Sequence, residues 1–356
     1  MRVCILGDGL SSLALAKALI NENIKVDLLF TKKTKKISKN RTLAISKSNV
    51  KFFNKKIVNI DKILWNLNKI EIFSENLNNE KLLEFSDHQD KIFSIVKNLE
   101  LYKILNDNLV KNKNFTKKIF KNNYELADEY NLIINTDYSN LITKKYFTKK
   151  IQKKYNSFAY TAILKHENSQ NNTAIQIFTK YGPIAFLPIS NFETSVVFSV
   201  KDLLKMDNEK FFELIKKYNF KYEILKINKF ISFELKSLNL RSYYHKNILA
   251  FGDLIHRIHP LAGQGFNMTI RDINILIDII KRNLDLGLPL DSSINSKFEQ
   301  KAKHKNYIFS SGIDFIYEFF NFERKLKNRI ISKSVQLIGK NSSIKNLFSN
   351  IADKGI

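Results

Sequence analysis

The sequence predicts an α/β fold, and three observations carry that reading. An apolar run, RVCIL (2–6), enters a glycine turn, then a helix-like segment, then a second apolar run, IKVDLLF (24–30). Much later NILAF (247–251) again ends in glycine, at Gly252-Asp253. Three of the chain's 10 glycines, Gly252, Gly263 and Gly265, then gather around Pro260, one of 4 prolines. Such a cluster marks backbone that bends sharply or lets a ligand approach.

The first run reads as a buried strand, GDGLSS as a turn, LALAKALINEN (13–23) as a helix and 24–30 as a second strand. Strand, glycine turn, helix and strand in this order make a dinucleotide-binding βαβ unit. In it Gly7 forms the tight turn and Gly9 lets a pyrophosphate reach the backbone. Leu10, Ser11 and Ser12 open the helix, whose free N–H groups and dipole favour the anion. Ser12 stands where a third glycine is usual, and Phe30 where a carboxylate usually accepts the ribose hydroxyls. A tight strand–helix turn without a ligand is the other reading of the same residues.

The second run delivers Asp253 from a strand end. LIHRIHPLAGQG follows as a loop and FNMTIRDINILIDIIKRNL as a helix. In that helix Ile270, Ile273, Ile277 and Ile280 recur at steps of three and four, forming one apolar face. Asp253 is placed to accept hydrogen bonds from polyol hydroxyls. The N–H groups around Gly263, Gln264 and Gly265 suit a negative charge, such as that on a reduced flavin ring.

Composition sets wider bounds. The 59 Lys+Arg against 34 Asp+Glu give a net charge of +25, a balance that raises nucleic acid or an anionic membrane as partners. The excess is spread along the chain with abundant Asn and Ile, as an A+T-rich coding sequence also produces. No aromatic-basic recognition motif accompanies it, so no nucleic-acid partner is expected. Cys4 is the only cysteine, which excludes an internal disulfide and fits a reducing compartment. No apolar run approaches the ~18 residues of a membrane span. The opening twenty residues imitate a signal peptide, but Gly7, Asp8 and Gly9 interrupt the apolar stretch, so a cytoplasmic, unprocessed start is expected. His256 and His259 could form a metal pair; Pro260 keeps them off a regular helix face, and no further ligand completes a site, so no metal is expected.

The pattern Gly252-Asp253-x-x-His256-x-x-His259-Pro260-x-x-Gly263-Gln264-Gly265-x-Asn267, with Asp272 beyond it, resembles the second flavin motif of class A FAD-dependent aromatic hydroxylases. These share the para-hydroxybenzoate hydroxylase fold, and the likeness is greatest to the ubiquinone-biosynthesis hydroxylases of polyprenylated phenols. NRTLAISKSNVKFF (40–53) looks like the segment that brings an arginine, here Arg41, to the flavin. FAYTAILKHENSQNNTAIQIFTKYGPIAFLPIS (158–190) is similar to the substrate-domain sheet, and 304–321 to the C-terminal helices. The third family motif reads TDYSNLITK: Asp137 is kept, while Tyr138, Leu141 and Lys144 replace glycine, serine and arginine. Lys111–Tyr130 is shorter than the family's β-meander. Both departures bear on how FAD is held and reduced.

The resemblance implies a discontinuous Rossmann-like FAD-binding domain (1–70, 95–145 and 241–285), an inserted β-sheet substrate domain (71–94 and 146–240) and a helical C-terminal tail (286–356). It implies FAD as cofactor, with Gly7, Gly9, Leu10, Ser11, Ser12, Arg41, Asp137, Gly252, Asp253, Pro260, Gly263, Gln264, Gly265 and Asn267 around it. NAD(P)H and O2 would be co-substrates, and a polyprenylated phenol would be hydroxylated through a flavin hydroperoxide in a dry pocket. A non-catalytic scaffold within a quinone-biosynthesis complex is the alternative. The aromatic and basic segment 310–330 is either an ordinary core-facing helix or a face for peripheral contact with the inner membrane or other quinone-biosynthesis proteins. The basic run 31–40 is a solvated loop or a phosphate contact.

Overall fold

A computed structural model of the chain describes all residues except 32–38, 78–79, 87–90, 120–128, 202–205, 261–262, 327–329, 340 and 356. Parts of the basic run 31–40 and of Lys111–Tyr130 therefore lie outside the described residues.

The amino-terminal elements are β1 (Arg2–Leu6), α1 (Leu10–Asn21), β2 (Lys25–Phe30), β3 (Thr42–Ser46), α2 (Lys47–Lys56), β4 (Trp65–Leu67), β5 (Lys69–Ser74), β6 (Lys81–Ser86), β7 (Phe93–Lys97), α3 (Asn98–Val110), β8 (Phe115–Ile119), β9 (Ile133–Asn135) and α4 (Leu141–Tyr146). There follow β10 (Lys150–His166), β11 (Thr173–Phe178), β12 (Pro183–Pro188), β13 (Glu193–Lys201), α5 (Asn208–Tyr218), β14 (Ile224–Ile227), β15 (Ile231–Leu240), β16 (Tyr244–His245), β17 (Ile248–Ala250) and β18 (His256–Arg257). Four helices close the chain: α6 (Gln264–Asp285), α7 (Ser292–Leu326), α8 (Ile330–Ile338) and α9 (Ser342–Lys354).

One six-stranded sheet has the order β16-β17-β9-β1-β2-β8, with all pairs parallel except β16–β17. Val3 to Leu6 are buried without alternation, as expected of a parallel strand covered on both faces. Small residues of α1, Ser12, Ala14, Ala16 and Ala18, let the helix lie close against that sheet. In α6 the predicted apolar face is buried in the same core, with Ile270, Ile273, Ile277 and Ile280 all inside. Asp27 is buried in β2, where Arg2 and the Tyr130 hydroxyl both donate to it, so its charge is compensated.

A nine-stranded sheet runs β18-β15-β10-β13-β12-β11-β5-β6, with β14 beside β10. Its β5 and β6 come from residues 69–86, and β5 joins in parallel at β11. A small sheet, β3-β7-β4, lies between the larger two in the chain's path. The loop after Gly252 is not wholly irregular. His256 and Arg257 pair with Asn239 and Leu238 as the edge strand β18, because the exposed edge of β15 offers ladder hydrogen bonds there. That pairing stitches the nucleotide-type sheet to the nine-stranded one.

The apolar residues of β12 and β13 divide between two faces. Ile184, Phe186, Val196 and Phe198 pack with Phe211, Leu214 and Ile215 of α5. Leu187 packs on the other side, with Ile189, against the cluster of Ala44, Leu67 and Ile95. Strand alternation sends only part of GPIAFLPI towards the nucleotide-type sheet. Segment 310–330 shows both expected characters: Tyr317 and Phe320 are buried, whereas Phe315 and Phe322 are exposed.

Candidate cofactor site

The predicted site residues converge at the carboxyl edge of the six-stranded sheet. Leu6 is in register with Asn135, and Asn135 with Ala250. The next residues of three strands, Gly7, Thr136 and Phe251-Gly252, therefore emerge side by side. From β1 the order runs to β2 and β8 on one side and to β9 and β17 on the other. A crevice forms where the order reverses, and such crevices bind ligands.

Gly7 has φ +114, and a Cβ there would lie 2.4 Å from Thr136 Oγ1, so no side chain fits. Thr136 donates to the Leu6 carbonyl at 2.9 Å and lies 2.7 Å from Ser12 Oγ, a bridge that fixes the start of α1. Ser12 thus packs where a third glycine is usual. Gly9 caps α1 with no side-chain cap bond, and a Cβ on it would meet nothing within 4 Å. The helix start faces open space, and among the described residues its first N–H groups have no side-chain cap. Leu10 is its first residue, and Ser11 lies against Gly252, whose φ is +63.

Asp253 follows in a 3-10 turn; its carboxylate is exposed and, among the described residues, accepts no hydrogen bond. Its backbone carbonyl accepts from Arg257 Nε at 3.2 Å. Pro260 lies ahead of Gly263, whose N–H reaches the Pro260 carbonyl at 3.3 Å. Gly263 caps α6 with φ +62, again without a side-chain cap, and its would-be Cβ lies 2.8 Å from Ala44 Cβ. Gly265 is open, with nothing within 4 Å. Two uncapped helix starts and one unpaired carboxylate therefore share the region.

Gln264 supplies the test of fit. Its side chain is 1% exposed, yet neither amide atom has a hydrogen-bond partner among the described residues. Leaving such a group unpaired costs about 1–3 kcal/mol. A flavin ring, with alternating donors and acceptors along its pyrimidine edge, would satisfy an amide of this kind.

Other predicted residues act on the protein itself. Asn267 accepts from Ser46 N at 2.9 Å and from Asn49 Nδ2 at 2.8 Å, and donates to the Ala44 carbonyl at 2.8 Å. Its side chain holds the loop to β3 and α2, with its donors and acceptor positions used within the protein. Asp137 Oδ1 accepts from Ser139 N at 2.8 Å and Ser139 Oγ at 2.7 Å, closing its own turn. Arg41 places its guanidinium 4.9 Å from the Phe233 ring of β15. It therefore spans from the small sheet to the nine-stranded one. The two histidines diverge: His256 meets Asp272, and His259 stacks on Tyr317 with centroids 4.2 Å apart. No group of three metal-binding side chains occurs among the described residues.

Three further residues around these elements were not singled out in the sequence. Thr136 is one. Asn98, at the start of α3, donates its N–H to the Arg41 carbonyl at 3.0 Å and keeps a buried Oδ1 without a partner among the described residues. Lys117 of β8 carries its ammonium 5.1 Å from the Phe30 ring. Across the glycine turn from it, burial pushes the Asp8 carboxyl above its ordinary range; Lys117 opposes that shift and Asp137 adds to it.

No family model matches the chain. The structure is similar to that of HpxO from Klebsiella pneumoniae, solved with FAD and uric acid, with a TM-score of 0.76 at 12% identity over 99% of this chain and 96% of that one. The fold is that of the FAD-dependent monooxygenases. In sequence the chain is 26% identical over 273 residues to ubiquinone biosynthesis monooxygenase COQ6 of Dictyostelium discoideum, covering 62% of this chain and 55% of that protein. It is 28% identical over 162 residues to 3-demethoxyubiquinol 3-hydroxylase of Escherichia coli (strain K12), covering 44% of this chain and 41% of that protein. Its homologues are thus ubiquinone-biosynthesis monooxygenases. The chain spans about half the length of these curated relatives in the matched regions.

Proposed function

We propose that the chain is an FAD-dependent monooxygenase that hydroxylates the aromatic ring of a polyprenylated phenol in ubiquinone biosynthesis, with NAD(P)H and O2 as co-substrates. The observation that carries this reading is the meeting of both glycine loops at one crevice, beside a buried Gln264 amide without a hydrogen-bond partner among the described residues. Likeness to ubiquinone-biosynthesis relatives supports the substrate class.

When bound, FAD would supply the redox chemistry, accepting a hydride and activating O2. The chain's own residues do the rest. Gly7, whose own N–H is donated to the Leu29 carbonyl at 2.8 Å, makes the tight turn, and Gly9 would let the pyrophosphate approach the N–H groups at the start of α1, whose dipole favours its charge. Asp253 accepts hydrogen bonds from ribityl hydroxyls. The start of α6, with Gly263, Gln264 and Gly265, holds negative charge on the ring. Arg41, whose guanidinium lies 4.9 Å from the Phe233 ring, would add a cation near the flavin. Leu187, Ile189 and Ala44 contribute apolar cover that excludes water. Within this proposal residues 71–94 and 146–240, whose strands share the nine-stranded sheet, cover the ring and the substrate.

No described helix is long and apolar enough to cross a membrane. Exposed Tyr307, Phe315 and Phe322 on α7 and Leu347 and Phe348 on α9, on a chain of charge +25, support peripheral contact with an anionic inner membrane. The test is direct. Purified protein should be yellow with near-stoichiometric FAD, and its NAD(P)H consumption should rise on adding a polyprenyl phenol. Colourless protein that neither binds FAD nor consumes NAD(P)H would overturn the proposal.

A further inference from the structure

Where the start of β10, the end of β15 and α7 meet, a cavity of about 210 Å³ is lined by none of the residues assigned to the cofactor. Ile151, Leu240 and the ring of Tyr243 give it apolar walls. Arg241 and Lys303 bring two cations to it, and no Asp or Glu is among its lining residues. Among the described residues the Arg241 guanidinium has no hydrogen-bond or ion-pair partner; only its backbone N–H is used, on the Lys149 carbonyl at 2.9 Å. Lys303 pairs with Glu299 at 2.7 Å, one helical turn earlier, and its side chain remains 43% exposed. Asn239 accepts from Ser310 Oγ at 2.9 Å, which leaves its amide N–H groups to donate. Charged and neutral donors above apolar walls suit a ligand with one anionic group and an apolar stem. What borders the cavity indicates where such a ligand comes from. Tyr307 forms part of its lining, and the exposed side of α7 continues from there through Phe315 to Phe322, about two helical turns apart. Ile151, also in the lining, is exposed as well.

We infer that this cavity takes the phosphate of an anionic membrane phospholipid, bound by Arg241, Lys303 and Asn239, while Tyr307, Phe315 and Phe322 enter the bilayer interface beside it. The inference rests on the peripheral membrane contact proposed above and gives that contact a defined lipid site. A net charge of +25 draws the protein to any anionic surface, whereas the cavity fixes which face arrives. Ile151 and Leu240 then cover the first part of the lipid stem, so the site distinguishes a lipid phosphate from a free one.

The test is co-sedimentation of the full chain with vesicles of phosphatidylcholine, alone or mixed with phosphatidylglycerol. The wild type should bind the mixed vesicles more tightly. Arg241→Gln should weaken that binding about fivefold, the scale of one basic residue at an anionic surface. Lys150→Gln removes the same charge from the residue in register with Leu240, which does not line the cavity, and should weaken binding less. An unchanged circular dichroism spectrum and melting profile confirm that each variant is folded. Inorganic phosphate should displace the protein no better than a chloride salt of equal ionic strength, because it has no stem for the apolar walls. Equal losses from the two variants, or displacement by phosphate beyond that by chloride, would overturn the lipid site and leave peripheral contact standing. Absence of any preference for the mixed vesicles would defeat the contact itself, and this inference with it.

Discussion

His256 Nε2 lies 2.6 Å from Asp272 Oδ2, with both side chains 1% exposed, and Asn306 Nδ2 donates to the other carboxylate oxygen at 2.9 Å. These residues come from β18, α6 and α7, so one buried carboxylate joins the loop after Gly252 to two helices. Replacing it strands two polar partners. Asp272→Ala should cost about 3 kcal/mol in urea unfolding, the scale of breaking a buried pair from one side. Asp272→Asn, which keeps an acceptor for His256, should cost less. Equal stability of both variants and the wild type would contradict this.

Gln264 makes an opposite prediction for stability and binding. Its unpartnered buried amide penalises the protein without ligand, so Gln264→Met should stabilise the apoprotein by about 1–3 kcal/mol. The same change should weaken FAD binding in a fluorescence titration. A variant that is less stable and binds FAD normally would show that the amide serves the protein and not a ligand.

The neighbouring glycines separate backbone needs from ligand needs. Gly263→Ala meets a left-handed φ of +62 and a 2.8 Å approach to Ala44 Cβ. It should lower the melting temperature, with about 1–2 kcal/mol lost to the conformation alone. Gly265→Ala meets nothing within 4 Å. It should leave the melting temperature of the apoprotein unchanged or higher while weakening FAD binding, because the added methyl occupies ligand space.

Asp8 gives a pH signature. Burial raises its folded carboxyl pKa above the ordinary 3.8, so the folded state holds the proton more tightly than the unfolded chain. The associated stability is present below that ordinary value and is lost as pH rises through the raised one. Asp8→Asn should therefore be more stable than the wild type at neutral pH, and the advantage should vanish under acid. Denaturation midpoints from pH 3 to about 7 measure this.

Much of the fold could be read from the sequence where one short segment contains its own physical reason. RVCIL followed by Gly7-Asp8-Gly9 needs only an apolar strand and a turn that excludes side chains. The α6 face needs only isoleucines at helical spacing. Phe30 could be recognised as a missing carboxylate, but Lys117, which stands beside it, comes from a strand more than eighty residues later and belongs to no motif. Thr136 and Asn98 were hidden for the same reason: each is a single polar residue whose meaning depends on a distant partner. Asn267 shows the converse. Its motif position was visible, but its four-way bonding to Ala44, Ser46, Asn49 and Gly263 was not.

The strand order β17-β9-β1-β2 has a further consequence for how the protein is made. β1 is complete within the first six residues, but its parallel neighbour β9 begins at Ile133, and β17, which covers the far edge of β9, begins at Ile248. A chain still on the ribosome keeps an apolar strand edge unpaired until β17 has emerged, the condition under which nascent chains aggregate or recruit chaperones. Amino-terminal fragments ending before β17 should therefore be insoluble, even though they contain every residue of the first glycine turn.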